Sequence, residues 1–307
     1  MTTDPSLFDA IVIGGGPAGL SAALTLGRSR RRVLVAASGP ARNAPAEASH
    51  NVFTRDGTPP AELLRIGREQ LAPYDVVLRD EWAVRAVRMR DVFVVAFAGG
   101  ARFEARGLVL ATGVRDILPA VPGLSELWGR GVFHCPYCHG WEVAGRPLGV
   151  YARGMDVART LHLCMLARGW SGDIALFADG PAGLPAEERA LIERNGIVVR
   201  EERVERLIGR GGELEAVVLE GGVAVPRGGL LVAPAQELRS DIPYQLGCQM
   251  TADARVEAEH GVQTGVPGVF VAGDIAPGMQ SVVAAMASGT LAGAMLNHYL
   301  LEKEFAG

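Results

Sequence analysis

The sequence has few cysteines and no long apolar run. Cysteine accounts for 4 of its 307 residues, and every apolar stretch is interrupted before it reaches membrane-spanning length. The net charge is −4, without a dense run of basic residues of the kind that binds nucleic acid. No export signal precedes the first strand, so we expect a cytoplasmic protein whose partners include neither nucleic acid nor membrane.

Glycine, by contrast, is abundant. The chain has 40 glycines and an apolar fraction of 49%. Glycine-rich, apolar chains of this kind are typical of α/β proteins with many tight turns between strands and helices. The length is sufficient for two domains of ordinary size.

Two of the four cysteines lie three residues apart, in the stretch Phe133-His134-Cys135-Pro136-Tyr137-Cys138-His139. On a turn that leads from a strand into a helix, this spacing allows a small disulfide to close with little backbone movement. Such a pair acts as a redox couple, since thiolate exchange forms and reopens its disulfide. His134 and His139 flank the pair, and both are candidates for the group that takes or gives a proton.

The same tetrad has two other interpretations. Cys-x-x-Cys-His also attaches c-type haem, but that attachment usually requires export. A structural zinc site needs two further ligands, and the remaining cysteines, Cys164 and Cys248, are isolated in the sequence. Cys164 lies within a helical apolar pattern, where a buried thiol is expected. Spacing and context favour the redox pair, and we expect no bound metal.

A glycine-rich turn lies between an apolar strand at 9–13 and a helix of small residues at 20–26. It reads Gly14-Gly15-Gly16-Pro17-Ala18-Gly19, which is the G-x-G-x-x-G pattern. Its glycines let the backbone approach a pyrophosphate, whose charge is favoured by the helix N-terminus. The next strand, at 32–36, lacks the acid that usually holds the adenosine ribose, and Ser38 is the candidate replacement.

The order of elements in the first half recurs in the second half. The first half continues with a helix, a β-meander and a buried strand, predicted at 59–74, 84–103 and 108–113. The second half has strands at 148–151, 173–177 and 230–234, helices at 158–168 and 187–195, and a meander at 204–225. This repetition indicates an α/β fold with two Rossmann-like modules.

A further apolar strand, at 268–274, ends in Asp274, and a helix rich in Ala, Gly and Met follows at 280–300. An acid at a strand exit with a helix N-terminus beyond it suits the ribityl chain and pyrimidine edge of a flavin. The small residues of the helix permit close approach of a ligand or of another helix, and ordinary core packing is equally compatible.

Together these residues resemble the low-molecular-weight thioredoxin reductase family over essentially the whole chain. The matching elements are Gly14 to Gly19, Ala111-Thr112-Gly113, the Cys135/Cys138 pair, and Gly273-Asp274 followed by Gln280-Ser281. The resemblance implies an FAD domain formed by residues 1–117 and 240–307, and an inserted domain at 118–239 that carries the disulfide. It also implies a homodimer.

The resemblance assigns roles to individual residues. Cys138 would lie over the flavin and exchange electrons with it, and Cys135 would be the interchange thiol that meets the substrate. His50 and Asn51 would lie near the isoalloxazine ring. The residues expected to bind FAD are Gly14, Gly16, Pro17, Ala18, Gly19, Ser38, Arg42, Asn43, Asn51, Ala111, Thr112, Gly113, Gly273, Asp274, Gln280 and Ser281.

The second module departs from the reductase pattern where NADPH should bind. Its turn, Ala152-Arg153-Gly154-Met155-Asp156-Val157, has a methyl group at the first glycine position and a bulky side chain at the last. Arg153 is expected to point into the region where phosphates would approach. Residues 177–181 lack the basic cluster expected there and contain one acid, Asp179, that would repel phosphate. These departures predict that the NADPH site is lost.

The sulfur motif departs from the reductases as well, because His139 stands where they have an aspartate. The sequence Cys-Pro-Tyr-Cys-His-Gly-Trp-Glu resembles the FAD-dependent dithiol oxidases of disulfide natural products, of the gliotoxin, holomycin and romidepsin type. That resemblance implies that a small-molecule dithiol reduces the disulfide, that the resulting dithiol reduces FAD, and that O2 reoxidises the flavin to give hydrogen peroxide. The competing functions are an NADPH-dependent reductase of thioredoxin or a similar protein, and a flavoprotein redox sensor.

His134 and His139 remain alternatives for the base that generates the attacking thiolate. The other histidines have no such neighbours in the sequence and are expected to be structural or exposed: His50, His162, His260 and His298. Three aromatic residues are expected to form either an apolar wall for a small substrate or part of the core: Phe133, Tyr137 and Trp141.

Overall fold

The computed structural model describes residues 7–306. The first elements are β1 (Leu7–Ile13), α1 (Pro17–Arg28), β2 (Val33–Ala36), α2 (Pro60–Glu69), β3 (Val76–Arg79), β4 (Ala83–Met89), β5 (Val92–Phe97), β6 (Arg102–Leu110) and β7 (Val114–Ile117). Next come α3 (Leu124–Leu127), β8 (Val132–Phe133), α4 (Pro136–His139), β9 (Leu148–Tyr151), α5 (Val157–Arg168), β10 (Ile174–Phe177), α6 (Ala186–Arg194), β11 (Ile197–Arg200), β12 (Val204–Arg210), β13 (Glu213–Leu219), β14 (Val223–Pro226) and β15 (Gly229–Val232). The last are β16 (Ala235–Leu238), α7 (Ile242–Gln245), β17 (Val269–Val271) and α8 (Val282–Phe305). Within residues 7–306, none of the helices combines the length and apolar composition needed to cross a bilayer.

The described residues form two compact units. Unit 1 comprises residues 7–44, Val52–Arg115 and 236–306, and unit 2 comprises Pro45–Asn51 and Asp116–Ala235. The limits expected from the sequence, at 117/118 and 239/240, differ from these boundaries by a few residues. The assignment of Pro45–Asn51 to unit 2 was not expected.

Unit 1 is built on a sheet of order β3-β2-β1-β6-β5-β4, in which β17 also pairs with β6. The neighbours β3, β2, β1, β6 and β17 run parallel, whereas β4, β5 and β6 form an antiparallel meander. β2 is buried along its whole length, as is usual for a parallel strand covered on both faces. The last meander strand and the buried strand predicted after it are one strand, β6, because its first half pairs with β5 and its second half with β17.

Helices α1 and α8 of unit 1 approach each other through glycine. A Cβ at Gly289 would overlap the carbonyl oxygen of Ala18, and a Cβ at Gly293 would lie 2.8 Å from the carbonyl oxygen of Ala22. At these two positions the small residues of α8 therefore serve close contact with another helix.

Unit 2 has the same kind of architecture as unit 1. Its five-stranded sheet has the order β11-β10-β9-β15-β8 with parallel neighbours, and β12, β13 and β14 form a separate antiparallel sheet. The parallel strands β9, β10 and β11 correspond to β1, β2 and β3, and α5 follows β9 as α1 follows β1. The predicted α/β fold with two Rossmann-like modules is confirmed.

A cluster of charged side chains anchors the end of α8 in unit 1. Arg31 donates hydrogen bonds to both carboxylate oxygens of Glu304, at 2.6 and 3.1 Å. Arg106, on β6, donates to Glu304 at 2.6 Å and to Asp9 at 3.0 Å. The two guanidinium groups lower the pKa of Glu304 to about 2. Glu304 therefore links α8 to β6 and to the connection between α1 and β2.

The substitution Glu304→Gln tests this link. Because the folded-state pKa of Glu304 lies below the unfolded value of about 4.3, the charged side chain stabilises the fold above that pH. Its contribution is lost as the pH falls toward a pKa of about 2. We expect E304Q to lower the urea midpoint at pH 7, and its difference from the wild type to narrow below about pH 4.

Glu302→Gln is the matched control, because the exposed Glu302 pairs with His298 within the same helix. An exposed ion pair of this kind contributes little to the free energy of unfolding. The urea midpoint of E302Q should therefore equal that of the wild type. Equal losses in the two variants at pH 7 would contradict the role of Glu304.

Candidate active site

A disulfide joins Cys135 and Cys138 at the start of α4 in unit 2. Cys135 precedes the helix in an extended conformation, and Pro136 is the first helical residue, where its missing N–H leaves no helical hydrogen bond unmade. The two Cα atoms are 5.3 Å apart, an ordinary separation for a disulfide. The pair lies on the strand-to-helix turn that the sequence predicts.

The four cysteines differ in accessibility and in ionisation. Cys135 is 9% exposed, and Cys138 is partly exposed. The other two are free and buried. Burial raises the pKa of the Cys164 thiol to about 12 and also raises the pKa of Cys248. Neither of these thiols supplies a thiolate near neutral pH, so thiol–disulfide exchange is confined to the Cys135–Cys138 pair.

His139, the last residue of α4, is largely enclosed. Its Nε2 lies 3.0 Å from the carbonyl oxygen of Gly129, and its ring stacks on Phe133 with centroids 5.4 Å apart. Its Nδ1 is buried and has no hydrogen-bond partner among residues 7–306. Burial lowers the pKa of His139, while the backbones of Gly129 and Cys135 and the charge of Glu142 act in the opposite direction. The ring is therefore suited to be a neutral imidazole near pH 7.

His134, the other candidate base, packs differently. Its ring stacks on Trp128, with centroids 6.0 Å apart. The structure thus brings both candidate histidines against aromatic rings, but it is His139 that holds a buried nitrogen without a hydrogen-bond partner among the described residues.

The segment Pro45–Asn51 contacts α4 and the residues after it within unit 2. His50 Nε2 lies 3.3 Å from Glu142 Oε1, and Asn51 Nδ2 donates a hydrogen bond to the carbonyl oxygen of Tyr137. The charge of His50 also contributes to lowering the pKa of His139. His50 is thus partly buried and paired with an acid of the sulfur motif, a contact that its position in the sequence does not reveal. The contact of Asn51 with a flavin stays a prediction.

The three aromatic residues of the sulfur motif separate into two groups. Phe133 is 1% exposed and belongs to the core of unit 2, so it forms no wall for a substrate. Tyr137 is 54% exposed and Trp141 is 82% exposed. Tyr137 meets the ring of Trp170 edge-on, with centroids 5.5 Å apart. Tyr137 and Trp141 remain candidates for contact with a substrate.

In unit 1 the glycine-rich turn joins β1 to α1. A Cβ at Gly14 would overlap the carbonyl oxygen of Ala111, and a Cβ at Gly19 would overlap that of Gly14, so backbone packing requires both glycines. At Gly16 a Cβ would meet nothing within 4 Å. Gly16 caps α1 without a side-chain hydrogen bond, and Pro17 is the first helical residue. The N-terminus of α1 is therefore open to an anion such as a pyrophosphate.

The other residues expected to bind FAD follow parallel strands of the same sheet. Ala111-Thr112-Gly113 follows β6, Gly273 follows β17, and Ser38 and Asn43 follow β2. The Thr112 hydroxyl is buried without a hydrogen-bond partner among the described residues. A Cβ at Gly273 would lie 3.0 Å from that of Ala18, so this turn lies against α1. Dinucleotides bind at the carboxyl ends of such strands, and a buried hydroxyl beside an open helix N-terminus fits a flavin dinucleotide.

Polar side chains from separate segments of unit 1 meet at the start of α8. Arg42 donates hydrogen bonds to Asp274 and to Gln280, both at 2.8 Å. The side-chain amides of Gln280 and Gln236 also donate hydrogen bonds to each other, at 2.9 and 3.1 Å. Gln236 was not among the site residues predicted from the sequence. Ser281 caps α8 through its hydroxyl. Arg42 thus holds the predicted flavin-binding acid beside the N-terminus of α8.

In unit 2, α5 begins differently from α1. Asp156 caps α5, and its carboxylate accepts a hydrogen bond from the backbone N–H of Arg159 at 2.8 Å. α5 starts at Val157, the sixth position of its turn, whereas α1 starts at Pro17, the fourth position. The N-terminus of α5 therefore already carries a carboxylate, which opposes the binding of a pyrophosphate.

A buried carboxylate lies at the carboxyl ends of β9 and β10. Asp179 is 3% exposed and accepts hydrogen bonds from the Tyr151 hydroxyl at 2.7 Å, from Arg153 at 3.1 Å and from the Val204 backbone N–H at 2.8 Å. Arg203 donates to its backbone carbonyl at 3.0 Å. Residues 177–181 contain no cation, but Arg153 and Arg203 lie beside Asp179 from other segments of unit 2. Arg153 pairs with Asp179 while 57% of its side chain stays exposed, so its direction toward a phosphate stays a prediction.

Comparison with known proteins agrees with this architecture. The profile of the pyridine nucleotide-disulphide oxidoreductase family matches residues 8–289. The chain is 32% identical to thioredoxin reductase sirT of Leptosphaeria maculans over 100% of this chain and 98% of the relative. It is 33% identical to thioredoxin reductase aclD of Aspergillus oryzae, over 93% and 94%. The crystal structure of HlmI superposes with a TM-score of 0.90 at 35% identity, covering 99% of this chain and 96% of that one.

These matches extend over nearly the full length of each protein and so include both Rossmann-like modules and the cysteine pair of unit 2. Together with the Cys135–Cys138 disulfide, they define the class of chemistry. The chain therefore belongs to the pyridine nucleotide-disulphide oxidoreductase family, as a thioredoxin reductase-like, flavin-dependent disulfide oxidoreductase.

Proposed function

We propose that the protein is an FAD-dependent oxidase that closes an intramolecular disulfide in a small-molecule dithiol and reduces O2 to hydrogen peroxide. The observation that carries this proposal is the contrast between the two modules. The helix N-terminus of the first is open at Gly16, whereas the second caps α5 with Asp156 and pairs Arg153 with Asp179. This contrast supports entry of electrons from sulfur rather than from a nicotinamide.

Unit 1 supplies the groups that would hold the flavin. The open N-terminus of α1 would receive the pyrophosphate, and Asp274, held by Arg42, would accept hydrogen bonds from the ribityl chain. The buried Thr112 hydroxyl offers a further polar contact. When bound, FAD accepts two electrons from the cysteine dithiol and delivers them to O2.

The sulfur chemistry balances within the substrate and the cysteine pair. A substrate thiolate attacks Cys135, the Cys135–Cys138 bond breaks, and Cys138 leaves as a thiolate. The second substrate thiol then attacks the mixed disulfide, so that the substrate leaves as a disulfide and both cysteines are reduced. Two electrons pass from the substrate to the pair. The assignment of attack to Cys135 and release to Cys138 follows the family resemblance.

His139 is the stronger candidate for the base that generates the substrate thiolate. Because a carbonyl oxygen can only accept, the hydrogen bond to Gly129 places the proton of the neutral ring on Nε2. The lone pair of the neutral ring then lies on Nδ1, which is buried in the oxidised protein. Transfer of a substrate proton to this nitrogen therefore requires the sulfur motif to open when the disulfide is attacked. The lowered pKa of His139, caused by burial, favours the neutral form of the ring near neutral pH.

The exposed aromatic side chains favour a small substrate. Tyr137 lies between the two cysteines in the sequence, and Trp141 follows α4. More than half of each side chain is exposed to solvent. Flat apolar rings of this kind suit a compact dithiol. An NADPH-dependent thioredoxin reductase is the second candidate, because sirT and aclD are named thioredoxin reductases.

The reductant of the flavin distinguishes the two candidates. Under anaerobic conditions we expect a generic dithiol, dithiothreitol, to bleach the flavin absorbance of the purified protein, and NADPH to leave it unchanged over the same time. Admission of air should restore the oxidised spectrum and release hydrogen peroxide equimolar with the dithiol consumed. Rapid bleaching by NADPH would contradict the oxidase and support the reductase.

Cysteine variants control this experiment. Cys138→Ser should abolish bleaching by dithiothreitol while the flavin remains bound, since the electron path through the disulfide is broken. Cys164→Ala removes a buried thiol outside the pair and should leave bleaching intact. Bleaching that persists in C138S would remove the pair from the mechanism.

Gly16→Ala tests the proposed position of FAD. The φ angle of Gly16 is −78°, which alanine adopts without strain, and its Cβ would meet no neighbour. We therefore expect G16A to fold normally but to lose bound flavin, because the methyl group occupies the space that the pyrophosphate must approach. The measurement is the ratio of flavin to protein absorbance.

The matched control is Gly154→Ala in unit 2, where a Cβ also meets no neighbour within 4 Å. Its φ of +69° makes alanine unfavourable by about 1 kcal/mol, but flavin content should stay at the wild-type level. A G16A protein with full flavin content would show that the cofactor is held elsewhere.

A further inference from the structure

We propose that Asn51 is a positioning residue that holds the sulfur turn, residues 135–139, in the geometry from which Cys135 and Cys138 close their disulfide. Asn51 ends a short segment, Pro45–Asn51, which we call the strap. The strap and the sulfur turn both belong to unit 2, although 86 positions separate Asn51 from Tyr137. This role concerns the thiol–disulfide chemistry of the family and is independent of the substrate that supplies the thiols.

The sulfur turn consists of Cys135 and the single helical turn α4. The N–H of Cys138 donates to the carbonyl oxygen of Cys135 at 3.1 Å, and the N–H of Gly140 donates to that of Pro136 at 2.7 Å. A helix of four residues is too short to be stable by itself, because few hydrogen bonds offset the cost of forming its first turn. Once the disulfide is broken, the turn therefore depends on contacts with other segments.

The strap supplies such a contact at the middle of the turn. Asn51 Nδ2 donates a hydrogen bond to the carbonyl oxygen of Tyr137, the residue that precedes Cys138. The last carbonyl groups of a helix have no donor within the helix, and this side chain satisfies one of them. The φ of Asn51 is +59°, a left-handed conformation that asparagine adopts more readily than most residues. The backbone of the strap thus suits the residue that makes the contact.

The first part of the strap is held by the residues that precede the sulfur turn. Glu47 pairs with Arg130 at 2.9 Å, and a Cβ on Gly129 would lie 2.8 Å from that of Pro45. The carbonyl oxygen of Gly129 also lies 3.0 Å from His139 Nε2, at the end of the turn. One residue, Gly129, therefore contacts both the strap and the turn.

The last part of the strap is held by a residue that follows the sulfur turn. His50 Nε2 lies 3.3 Å from Glu142 Oε1, and Ser49, beside it, is buried. The contacts at both ends of the strap thus involve residues 129–142 and no sulfur atom. Asn51 is therefore carried on a segment whose place beside the turn does not require the disulfide.

Closure of the pair depends on how often the sulfur of Cys138 lies within reach of Cys135. When a thiolate attacks Cys135, the Cys135–Cys138 bond breaks, and Cys138 leaves with the electron pair as a thiolate. Cys138 then either attacks the mixed disulfide and recloses the pair, or a second thiol attacks the sulfur of the first and releases Cys135. In the second case, two electrons pass from two thiols to the pair. By keeping the turn formed, Asn51 raises the effective concentration of Cys138 and favours reclosure.

The direct test is the equilibrium of the pair with glutathione under anaerobic conditions. The holoenzyme is equilibrated with mixtures of reduced and oxidised glutathione, quenched in acid, alkylated and weighed by mass spectrometry. This gives the fractions of disulfide, mixed disulfide and dithiol. The measurement is made at a temperature at which every variant keeps its near-ultraviolet circular dichroism, so that loss of the fold is recognised.

Asn51→Gly removes the side chain, and glycine accepts the left-handed φ without strain. We expect N51G to lower the equilibrium constant for disulfide formation by about fivefold, the usual effect of one hydrogen bond. This corresponds to a rise of about 20 mV in the reduction potential. The fraction of mixed disulfide should also rise, because Cys138 recloses the pair more slowly. A residue that serves stability alone would change neither quantity in the folded protein.

Asn51→Asp is a second variant, which keeps the size of the side chain and its tolerance of a left-handed φ. Its carboxylate cannot donate to the carbonyl oxygen of Tyr137, so it should lower the equilibrium constant at least as far as N51G. The matched control is Thr54→Gly, because Thr54 is exposed and also has a positive φ, +70°. T54G adds the same backbone freedom outside the strap and should leave the equilibrium constant unchanged.

The predicted contact of Asn51 with a flavin is distinguished by a background that lacks the cofactor. Because Gly16→Ala should lose bound flavin, G16A is compared with the G16A/N51G double variant, and we expect the same change as in the holoenzyme. An equal equilibrium constant in N51G and the wild type would overturn the role of Asn51, as would a change that appears only with flavin bound. Glutathione exchanges with the pair directly, so failure of the proposed oxidase would be recognised separately, in the bleaching experiment.

Discussion

The buried carboxylate of Asp179 is the constraint on which the interpretation of this protein depends. A buried charge is costly unless it is paired and hydrogen-bonded, and removal of a partner leaves that cost uncompensated. Asp179 is satisfied by Tyr151, Arg153 and the backbone of Val204. These groups lie at the carboxyl ends of β9 and β10, where a parallel α/β sheet normally receives a nucleotide. In unit 2 these groups are hydrogen-bonded to Asp179.

The two modules therefore share a topology but differ where ligands bind. In unit 1, β1 leads into a glycine turn and a helix whose first turn is left open by Gly16 and Pro17. In unit 2, β9 leads into a turn whose helix starts two positions later and is capped by Asp156. An open helix N-terminus favours the binding of a phosphate, whereas a carboxylate that caps the helix disfavours it. The two modules thus differ in one short turn, and the proposed function assigns the dinucleotide to unit 1 on the basis of this difference.

Features encoded by nearby residues could be predicted from the sequence. The parallel strands, the glycine turn and the cysteine pair all follow from local patterns, namely apolar runs, required glycines and a three-residue spacing. Asp156, too, is a readable signal, because aspartate before a helix commonly caps it. The order of elements was sufficient to recognise the repeated module, although β6 joins two segments that periodicity alone had separated.

Contacts between distant segments could not be predicted in this way. Asp179 pairs with Arg153, which lies much earlier in the chain. His50 likewise contacts Glu142, although a long stretch of sequence separates the two residues. Local patterning carries no information on such pairs, because they depend on which strand ends lie together in space. Phe133 shows the same limit, since an aromatic residue beside a redox motif can equally well be buried in the core.

The central claim is that the second module takes no nicotinamide dinucleotide, so that electrons enter through sulfur. The most direct measurement is a crystal structure of the oxidised protein after soaking with NADPH at a concentration well above that which saturates ordinary reductases. The expected result is a bound flavin in unit 1, no dinucleotide at the N-terminus of α5, and the Arg153–Asp179 pair unchanged. An NADPH molecule seated against residues 152–157, with its pyrophosphate at the start of α5, would contradict the claim.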